Sequence, residues 1–208
     1  MKNNVIKNTT NKRLGILGGG QLGKMIAVEA SRLGIKTCIF DPNKNAPAFQ
    51  NANIIINSDF TNKKALEQLV KCSDKITYEF ENIPLESLNF LEKNSQIFPG
   101  IKALKYSQDR LLEKEFISNL GISVAPFYQI KSYVDLKGAL EKLKGTAILK
   151  TRKFGYDGKG QHVIKKYKIP NIKDNIEKNK YIIEGMINFK KEISVIVIIK
   201  KDGSVVCY

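Results

Sequence analysis

Residues 13–25 read RLGILGGGQLGKM, and this glycine-rich turn constrains the fold more than any other stretch of the chain. The apolar run before the glycines predicts a buried strand, and the apolar spacing from Gln21 to Leu33 predicts a helix after them. Glycines let the backbone approach an anion closely, and a helix N-terminus directs N–H groups toward it. The turn is therefore a candidate phosphate site, although such glycines also form tight turns that hold no ligand.

The same glycines fit a dinucleotide-binding pattern. Gly18, Gly20 and Gly23 match G-x-G-x-x-G, and Asp41 follows about twenty residues further on. Asp41 is a candidate ribose contact, but Asp-Pro is also an ordinary start for a turn. This pattern alone suggests an NAD enzyme. A second glycine loop later in the chain argues against that interpretation, because a dehydrogenase does not require it.

The residues up to about 100 alternate between strand and helix patterns. Apolar runs predict strands at LGIL, KTCIF, NIIIN, KITYEF and QIFP, with amphipathic helices at KKALEQLVKC and PLESLNFLEK. Such alternation predicts a doubly wound, Rossmann-like parallel sheet with helices on both faces. We assign residues 1–12 to a disordered basic tail and residues 13–105 to this α/β domain.

The second part of the chain, residues 106–208, has an α+β pattern. Helices are predicted over Ser107–Asn119 and Tyr133–Leu143, with ISVAPFYQI as a link between them. Strands are predicted at TAILKT, GQHVIKK and YIIEG, and a longer one from Glu192 to Lys200. Lys201-Asp202-Gly203 is a hairpin signal, so SVVCY begins the returning strand.

A second glycine loop lies within LKTRKFGYDGKGQ. The strand before it delivers Lys150, and Gly155, Gly158 and Gly160 follow before the next strand begins. A glycine loop between two antiparallel strands can close over a polyphosphate and donate backbone N–H groups to it. The sequence therefore predicts a nucleoside triphosphate site without the Walker pattern, the alternative being a mobile surface hairpin.

Carboxylates follow both glycine segments. The strand YIIEG ends at Glu184 and Gly185, where backbone groups could pair with an adenine edge, and Glu192 could accept hydrogen bonds from ribose hydroxyls. Glu79 and Glu81 follow the fourth strand, at the edge of the sheet where doubly wound proteins bind ligands. Taken singly, each of these carboxylates also fits a solvated surface charge.

The net charge of +15 does not make this a nucleic-acid-binding protein. Only four of the 35 basic residues are arginines, namely Arg13, Arg32, Arg110 and Arg152, and the lysines are scattered along the chain. Nucleic-acid-binding proteins usually favour arginine and concentrate their charge on one face. We therefore expect no nucleic-acid partner.

The remaining features indicate a cytoplasmic protein without a membrane partner. The sequence has neither a secretory signal nor an apolar run of the roughly 20 residues that span a bilayer. Cys38, Cys72 and Cys207 show no metal-ligand or disulfide pattern, so each is expected to be a buried structural side chain. His162, the only histidine, is expected to be an exposed strand residue, and no metal site is predicted.

In combination, these stretches resemble the N5-carboxyaminoimidazole ribonucleotide synthase family of ATP-grasp ligases. The matching stretches, in the family's order, are GILGGGQLGKM, FDPNKNAPA, TYEFENIP, QDRLLEKEF, LKTRKFGYDGKGQ and IEGMINFKKEISVIV. The resemblance implies a pre-ATP-grasp domain followed by an incomplete ATP-grasp domain. It also implies ATP-dependent carboxylation of 5-aminoimidazole ribonucleotide with bicarbonate, which produces N5-carboxyaminoimidazole ribonucleotide, ADP and phosphate.

The resemblance assigns roles to individual residues. The implied ATP-binding residues are Arg110, Lys150, Gly155, Tyr156, Asp157, Gly158, Lys159, Gly160, Gln161, Glu184, Gly185, Met186, Ile187 and Glu192. Lys150, Tyr156 and Asp157 are the implied catalytic residues, and the last two also face the aminoimidazole. The implied substrate-binding residues are Gly20, Gln21, Leu22, Glu79 and Glu81.

The chain departs from the family in two ways. Many relatives have glycine where this chain has Phe154, and relatives continue beyond residue 208 with the acidic and asparagine side chains that hold Mg²⁺. We therefore expect the isolated chain to be an N-terminal part with impaired activity. The alternatives are that a separate C-terminal chain completes the site, or that the chain binds nucleotides without catalysis. Relatives imply a possible homodimer.

Overall fold

A computed structural model describes residues 12–154, 160–165, 181–200 and 202–208. Its internal contacts divide the chain into two units. The first unit runs to Ser123 and takes in the segment that begins at Arg152, and the second begins at Val124. The domain boundary between residues 105 and 106 stays a prediction.

The first unit is built on a five-stranded parallel sheet with the strand order β3-β2-β1-β4-β5. Its strands are β1 (Arg13–Leu17), β2 (Lys36–Asp41), β3 (Ile54–Asn57), β4 (Lys75–Tyr78) and β5 (Ile97–Phe98). Every strand predicted from the apolar runs in this part of the chain is present, and the doubly wound α/β fold is confirmed.

Helices cover both faces of this sheet. They are α1 (Gln21–Arg32), a 3-10 helix (Pro47–Asn51), α2 (Lys63–Lys71), α3 (Leu85–Asn94), α4 (Ile101–Ser107) and α5 (Arg110–Asn119). Because successive strand residues point to opposite faces, Ile16 packs with Ala27 of α1, whereas Leu17 packs with Leu66 of α2 and Leu88 of α3.

The second unit contains a four-stranded antiparallel sheet with the order β6-β9-β7-β8. Its elements are β6 (Phe127–Ile130), α6 (Tyr133–Leu143), β7 (Ala147–Thr151), β8 (Gln161–Ile164) and β9 (Tyr181–Gly185). Helix α6 packs Leu136 and Leu140 against Leu149 and Ile183 on one face of the sheet. A separate hairpin of β10 (Val197–Ile199) and β11 (Val205–Cys207) follows.

Three predicted elements differ from the structure. The link ISVAPFYQI contains strand β6, which forms because its short apolar run pairs with β9. The helix predicted over Ser107–Asn119 is broken, because extended Asp109 caps α5 by accepting a hydrogen bond from the Leu111 N–H. The strand predicted from Glu192 to Lys200 is limited to β10, the part that pairs with β11.

The cysteine prediction is wrong in two respects. Cys38 of β2 and Cys72, which follows α2, form a disulfide rather than two independent buried thiols. Cys207 at the end of β11 is exposed rather than buried. Among the residues described, none of the helices has the length and apolar character needed to cross a membrane.

Candidate functional site

The glycine turn, Gly18–Gly20, connects β1 to α1, and steric contacts explain its composition. Gly18 has a φ of +100°, in the left-handed region that favours glycine. A Cβ atom at Gly23 would lie 2.5 Å from the carbonyl oxygen of Gly18. Glycine is therefore needed for α1 to approach the turn this closely, whatever the turn binds.

Two carboxylates already accept hydrogen bonds from the turn. The Gly19 N–H donates to Asp41 Oδ2 at 2.7 Å, and the Gly20 N–H donates to Glu79 Oε1 at 2.8 Å. A phosphate at the turn would therefore have to displace Glu79 or bind beside it. Of the predicted substrate-binding residues Gly20–Leu22, Gly20 is thus the residue whose amide already donates to a side chain of the protein.

The next amides belong to the first turn of α1. The N–H groups at the start of a helix have no acceptor within the helix, and no described side chain caps α1. Gln21 and Leu22 are exposed at this position. The amides of these two residues, rather than that of Gly20, are the ones placed to receive an anion.

Asp41 acts as a turn residue in this structure. Its Oδ2 accepts from the Gly19 N–H, and its Oδ1 accepts from the Asn43 N–H at 2.7 Å. Both carboxylate oxygens therefore hold the backbone, as in an ordinary Asx turn. This arrangement supports the turn interpretation of Asp-Pro over the ribose-binding interpretation.

Glu79 lies directly after β4, in a group of negative charges. Burial raises the pKa of the Glu79 carboxyl, the hydrogen bond from the Gly20 N–H lowers it in part, and the charges of Asp41 and Glu81 raise it further. Glu81 also follows β4, and its Oε1 accepts a hydrogen bond from Asn82 Nδ2 at 3.2 Å. Both predicted carboxylates therefore lie at the carboxyl end of the sheet.

Glu79→Gln removes this titration while keeping an acceptor for the Gly20 N–H. Because the pKa of Glu79 is raised on folding, its protonated form favours the folded state at low pH, and this contribution is lost as the pH rises through the folded-state pKa. We therefore expect the free energy of unfolding of the unsubstituted chain, relative to the variant, to fall between the ordinary carboxyl pKa of 4.5 and neutral pH. Urea denaturation of both proteins across this range measures the difference, and a constant or rising difference would contradict the assignment.

Lys150 and Glu184 form a shielded ion pair in the second unit. Lys150 Nζ lies 2.9 Å from Glu184 Oε2, and their side chains are 21% and 8% exposed. In the antiparallel pairing of β7 with β9, Ile148 is opposite Glu184 and Lys150 is opposite Ile182, so the two charges are diagonal neighbours on one face. The sequence predicts both residues as ATP contacts, but it does not predict their pairing.

The second glycine loop joins β7 to β8 as an antiparallel hairpin, with Lys150 opposite Gln161. Its far end is fixed by a hydrogen bond of 3.1 Å from the Thr151 N–H to the Gly160 carbonyl, and Gly160 has a φ of +72°. The predicted residues Gly155, Tyr156, Asp157, Gly158 and Lys159 lie outside the described residues.

The predicted adenine-edge strand is the segment Glu184–Ile187. The Gly185 N–H donates to the Pro126 carbonyl at 2.8 Å, and the Met186 N–H donates to the Thr146 carbonyl at 3.0 Å. Two of its amides are therefore already bonded within the protein. A cavity of about 330 Å³ lies against the segment, and its lining includes Pro126, Tyr128, Thr146, Gly185, Met186 and Ile187.

Arg110 lies at the start of α5 and is only 8% exposed. Its Nη1 donates to the Phe154 carbonyl at 2.7 Å, and its backbone N–H donates to the Arg152 carbonyl at 2.9 Å. Phe154 itself has a φ of +63°, a conformation that favours glycine. The guanidinium thus anchors the backbone that leads into the glycine loop, and its contact with ATP stays a prediction.

The two residues before Arg110 also anchor other segments, and sequence reasoning missed both of them. Gln108 Nε2 donates to the carbonyls of Glu81 and Ile83 at 2.8 and 2.7 Å. Asp109 accepts from Arg152 Nε and Nη2 at 3.0 and 2.7 Å. We call Gln108–Arg110 the clamp. The available sequence signal was an aspartate within the helix predicted over Ser107–Asn119, because aspartate favours an N-cap over a helix interior.

The other predicted site residues do not join these groups. Glu192 is exposed and lies outside any strand, and His162 lies on β8 but is partly buried rather than exposed. Across the described ranges, no group of three or more His, Cys, Asp or Glu side chains is arranged to hold a metal ion.

Both parts of the chain match known family models. The family model described as the ribonucleotide synthetase preATP-grasp domain matches residues 11–108, and the model of the ATP-grasp domain matches residues 115–208. The curated N5-carboxyaminoimidazole ribonucleotide synthase of Bacillus subtilis is 40% identical over 193 residues, which is 92% of this chain and 51% of the relative. That of Brucella melitensis is 40% identical over 198 residues, which is 94% of this chain and 55% of the relative.

Solved structures show the same similarity. An N5-carboxyaminoimidazole ribonucleotide synthetase in complex with ADP is 37% identical with a TM-score of 0.90, over 95% of this chain and 53% of that one. The Aspergillus clavatus synthase in complex with ADP and 5-aminoimidazole ribonucleotide is 28% identical with a TM-score of 0.84, over 96% and 53% of the two chains. The chain thus spans about half the length of the relatives it matches.

Proposed function

We propose that this chain, which resembles the N-terminal half of the N5-carboxyaminoimidazole ribonucleotide synthases, binds ATP in its second unit and 5-aminoimidazole ribonucleotide in its first. The reaction it serves is the ATP-dependent carboxylation of that ribonucleotide with bicarbonate in purine biosynthesis. The observation that carries the proposal is Lys150, which β7 presents beside the glycine loop and which Glu184 holds in place.

The proposed reaction needs a cation next to the transferred phosphoryl group. The γ-phosphoryl group of ATP passes to a bicarbonate oxygen, which gives ADP and carboxyphosphate. Carboxyphosphate breaks into carbon dioxide and phosphate, and the exocyclic amine of the ribonucleotide attacks the carbon dioxide and releases a proton. The Lys150 ammonium offsets the phosphoryl charge, and its ion pair with Glu184 limits its movement before ATP binds.

The charges around the glycine turn support an orientation for the ribonucleotide. Asp41 and Glu79 make the immediate surroundings of the Gly20 amide negative. A phosphate is therefore better placed at the Gln21 and Leu22 amides than at Gly20. The carboxylate of Glu79 is suited to accept hydrogen bonds from the donors of the same ligand, its ribose hydroxyls or its amine.

The described residues do not fit a Mg²⁺ site. Mg²⁺ requires oxygen ligands in octahedral geometry, but no cluster of three candidate side chains is present among the residues described, and Glu192 is a single exposed carboxylate. We therefore assign no step of the reaction to a metal ion held by these residues.

The proposal also includes a separate chain that completes the site, a homodimer and a cytoplasmic location.

The second candidate function is nucleotide binding without catalysis, for which Lys150 and the adjoining glycine loop suffice. Titration calorimetry with ATP and with 5-aminoimidazole ribonucleotide separately, followed by a phosphate-release assay with bicarbonate, distinguishes the two. Saturable binding without phosphate release would support the second candidate. Tighter binding of NAD than of either ligand would overturn both, although the two backbone bonds of Asp41 argue against a dinucleotide.

Lys150→Met is expected to weaken ATP binding by at least about tenfold, because it removes the cation proposed to contact the phosphates. Lys131→Met is the matched control, since this exposed lysine lies in the same unit. Both are measured by ATP titration.

The substitution also leaves the buried Glu184 carboxylate without Lys150. If Lys150→Met does not fold, the double variant Lys150→Met/Glu184→Gln removes that charge and still lacks the cation. Unchanged ATP affinity in a folded variant would contradict the role of Lys150.

A further inference from the structure

The disulfide of the first unit lies away from the candidate site. Cys38 is the third residue of β2, and Cys72 lies between the end of α2 and the start of β4. Both cysteines are therefore near the edge where the strands of the parallel sheet begin. The glycine turn and Glu79 lie at the opposite edge, where the strands end. Neither sulfur atom takes part in the proposed carboxylation.

The two sulfur atoms differ in their access to solvent. Cys38 is 0% exposed and packs in the core with Phe40 and Leu69. Cys72 is half-buried and lines a cavity of about 360 Å³, together with Arg13, Lys36, Thr37, Asn53 and Ile54. We call this the Cys72 cavity. A nucleophile that enters it therefore reaches Cys72 and not Cys38.

The Cys72 cavity carries two positive charges. Arg13 and Lys36 are exposed and lie opposite each other in the parallel pairing of β1 with β2, so their side chains share one face of the sheet. Lys36 is two residues before Cys38, which places both on that face. Asp74 brings a carboxylate to the same edge, and its Oδ2 accepts a hydrogen bond from the Arg13 backbone N–H at 2.7 Å. The two cations favour an anionic ligand beside Cys72.

We propose that the Cys72 cavity is the reaction site of a small anionic thiol, which opens and re-forms the disulfide between Cys38 and Cys72. The thiolate of the ligand forms a bond with Cys72 Sγ. The bond between the two cysteines breaks, and its electron pair passes to Cys38 Sγ, which takes a proton from water.

A second thiolate completes the exchange. It attacks the sulfur atom of the bound ligand, and the electron pair of the mixed disulfide passes to Cys72 Sγ, which is protonated in turn. Two small thiols are thereby oxidised to one disulfide, while Cys38 and Cys72 are reduced. The reverse sequence restores the cross-link. Disulfides that form where thiols are kept reduced are usually reversible ones of this kind.

The exchange controls the stability of the first unit. The two cysteines are 34 residues apart, and the closed loop between them includes Asp41, β3 and α2. A cross-link over a loop of this length restricts the unfolded chain, so reduction should lower the melting temperature by about 10 °C. The double variant Cys38→Ala/Cys72→Ala should melt at the same temperature with and without reductant. Thermal unfolding followed by circular dichroism compares the two proteins.

The charge preference is tested on the folded, unsubstituted chain. Glutathione is the anionic probe and cysteamine the cationic one, and each rate constant for reduction is referred to the thiolate concentration. At low salt, the ratio of the two rate constants should exceed the same ratio for hydroxyethyl disulfide by about tenfold. This excess should disappear at about 1 M salt, where the Debye length is about 3 Å. Lys36→Gln should lower the ratio by about threefold, whereas Lys64→Gln, which changes an exposed lysine at the other end of α2, should not.

The reacting sulfur atom is identified with oxidised glutathione and mass spectrometry. Both variants carry Cys207→Ser, because Cys207 is an exposed free thiol. The variant with Cys38→Ala keeps Cys72 and should gain one glutathione. The variant with Cys72→Ala keeps the buried Cys38 and should stay unmodified while circular dichroism shows that it is folded.

Three results would overturn the inference. The first is a disulfide that thiols reduce only at urea concentrations that unfold the chain. The second is a ratio of rate constants equal to that of hydroxyethyl disulfide at low salt. The third is equal modification of Cys38 and Cys72. Since the first two measurements use the unsubstituted chain, the test does not depend on a variant that folds. None of these results bears on ATP binding, so the proposed function is tested separately.

Discussion

Asp109→Asn will lower the free energy of unfolding by about 3–5 kcal/mol, the usual effect of breaking a buried ion pair from one side. Asp109 is 3% exposed, and it accepts from Arg152 Nε and Nη2 in a two-pronged arrangement. Asparagine can still accept from the Leu111 N–H and thus keeps the cap of α5. The decrease in the free energy of unfolding therefore reports the cost of leaving the Arg152 charge without Asp109. Urea denaturation at neutral pH measures this decrease.

The exposed pair of Arg32 and Glu29 provides the control for this prediction. Its side chains are 71% and 62% exposed at a similar distance of 2.8 Å. Pairs of this kind contribute about 0–1 kcal/mol, because water and salt screen them. A Glu29→Gln variant should therefore be nearly neutral. If Asp109→Asn cost no more than Glu29→Gln, the clamp would not stabilise the first unit.

Gly23→Ala is expected to destabilise the chain by about 2–3 kcal/mol, because overpacking against backbone forces the elements apart. The added Cβ would lie 2.5 Å from the Gly18 carbonyl oxygen, and α1 can relieve this contact only by moving away from the turn. The loss outweighs the gain in helix propensity of about 1 kcal/mol from replacing glycine with alanine.

The matched control for Gly23→Ala is Gly138→Ala, inside α6. A Cβ atom at Gly138 has no neighbour within 4 Å, so only the gain in helix propensity applies. The control should therefore be stabilised, by up to about 1 kcal/mol. Thermal unfolding followed by circular dichroism compares the two variants, and a change of the same sign in both would contradict the steric argument.

The parallel sheet was predictable because its signals are local. Each apolar run from LGIL to QIFP is bounded by a helical pattern or a turn. The alternation of strands with helices then limits the topology to few possibilities. The same local reasoning failed at Phe127–Ile130, whose strand character depends on pairing with β9 more than fifty residues away in the sequence. It failed again around Asp109: helix α4 was not predicted, and the helix predicted over Ser107–Asn119 begins only at Arg110, because the side chain of Asp109 caps α5.

The candidate site was predictable as a set of residues but not as a set of contacts. Glycine composition and spacing indicate two phosphate-binding segments, and Lys150 follows from its position before one of them. The pairing of Lys150 with Glu184 depends on the register of β7 against β9, which the sequence of neither strand specifies alone. The occupation of the Gly20 amide by Glu79 depends likewise on how closely β4 lies beside β1.

The segment from Arg152 belongs to the first unit, although the strand directly before it, β7, belongs to the second. The polypeptide therefore passes between the units more than once. Hydrolysis of the peptide bond between Ser123 and Val124 would not release two independent fragments, since Arg152 of the downstream piece would still form its ion pair with Asp109. Shortening the chain at that bond would therefore leave the buried Asp109 carboxylate without the Arg152 guanidinium.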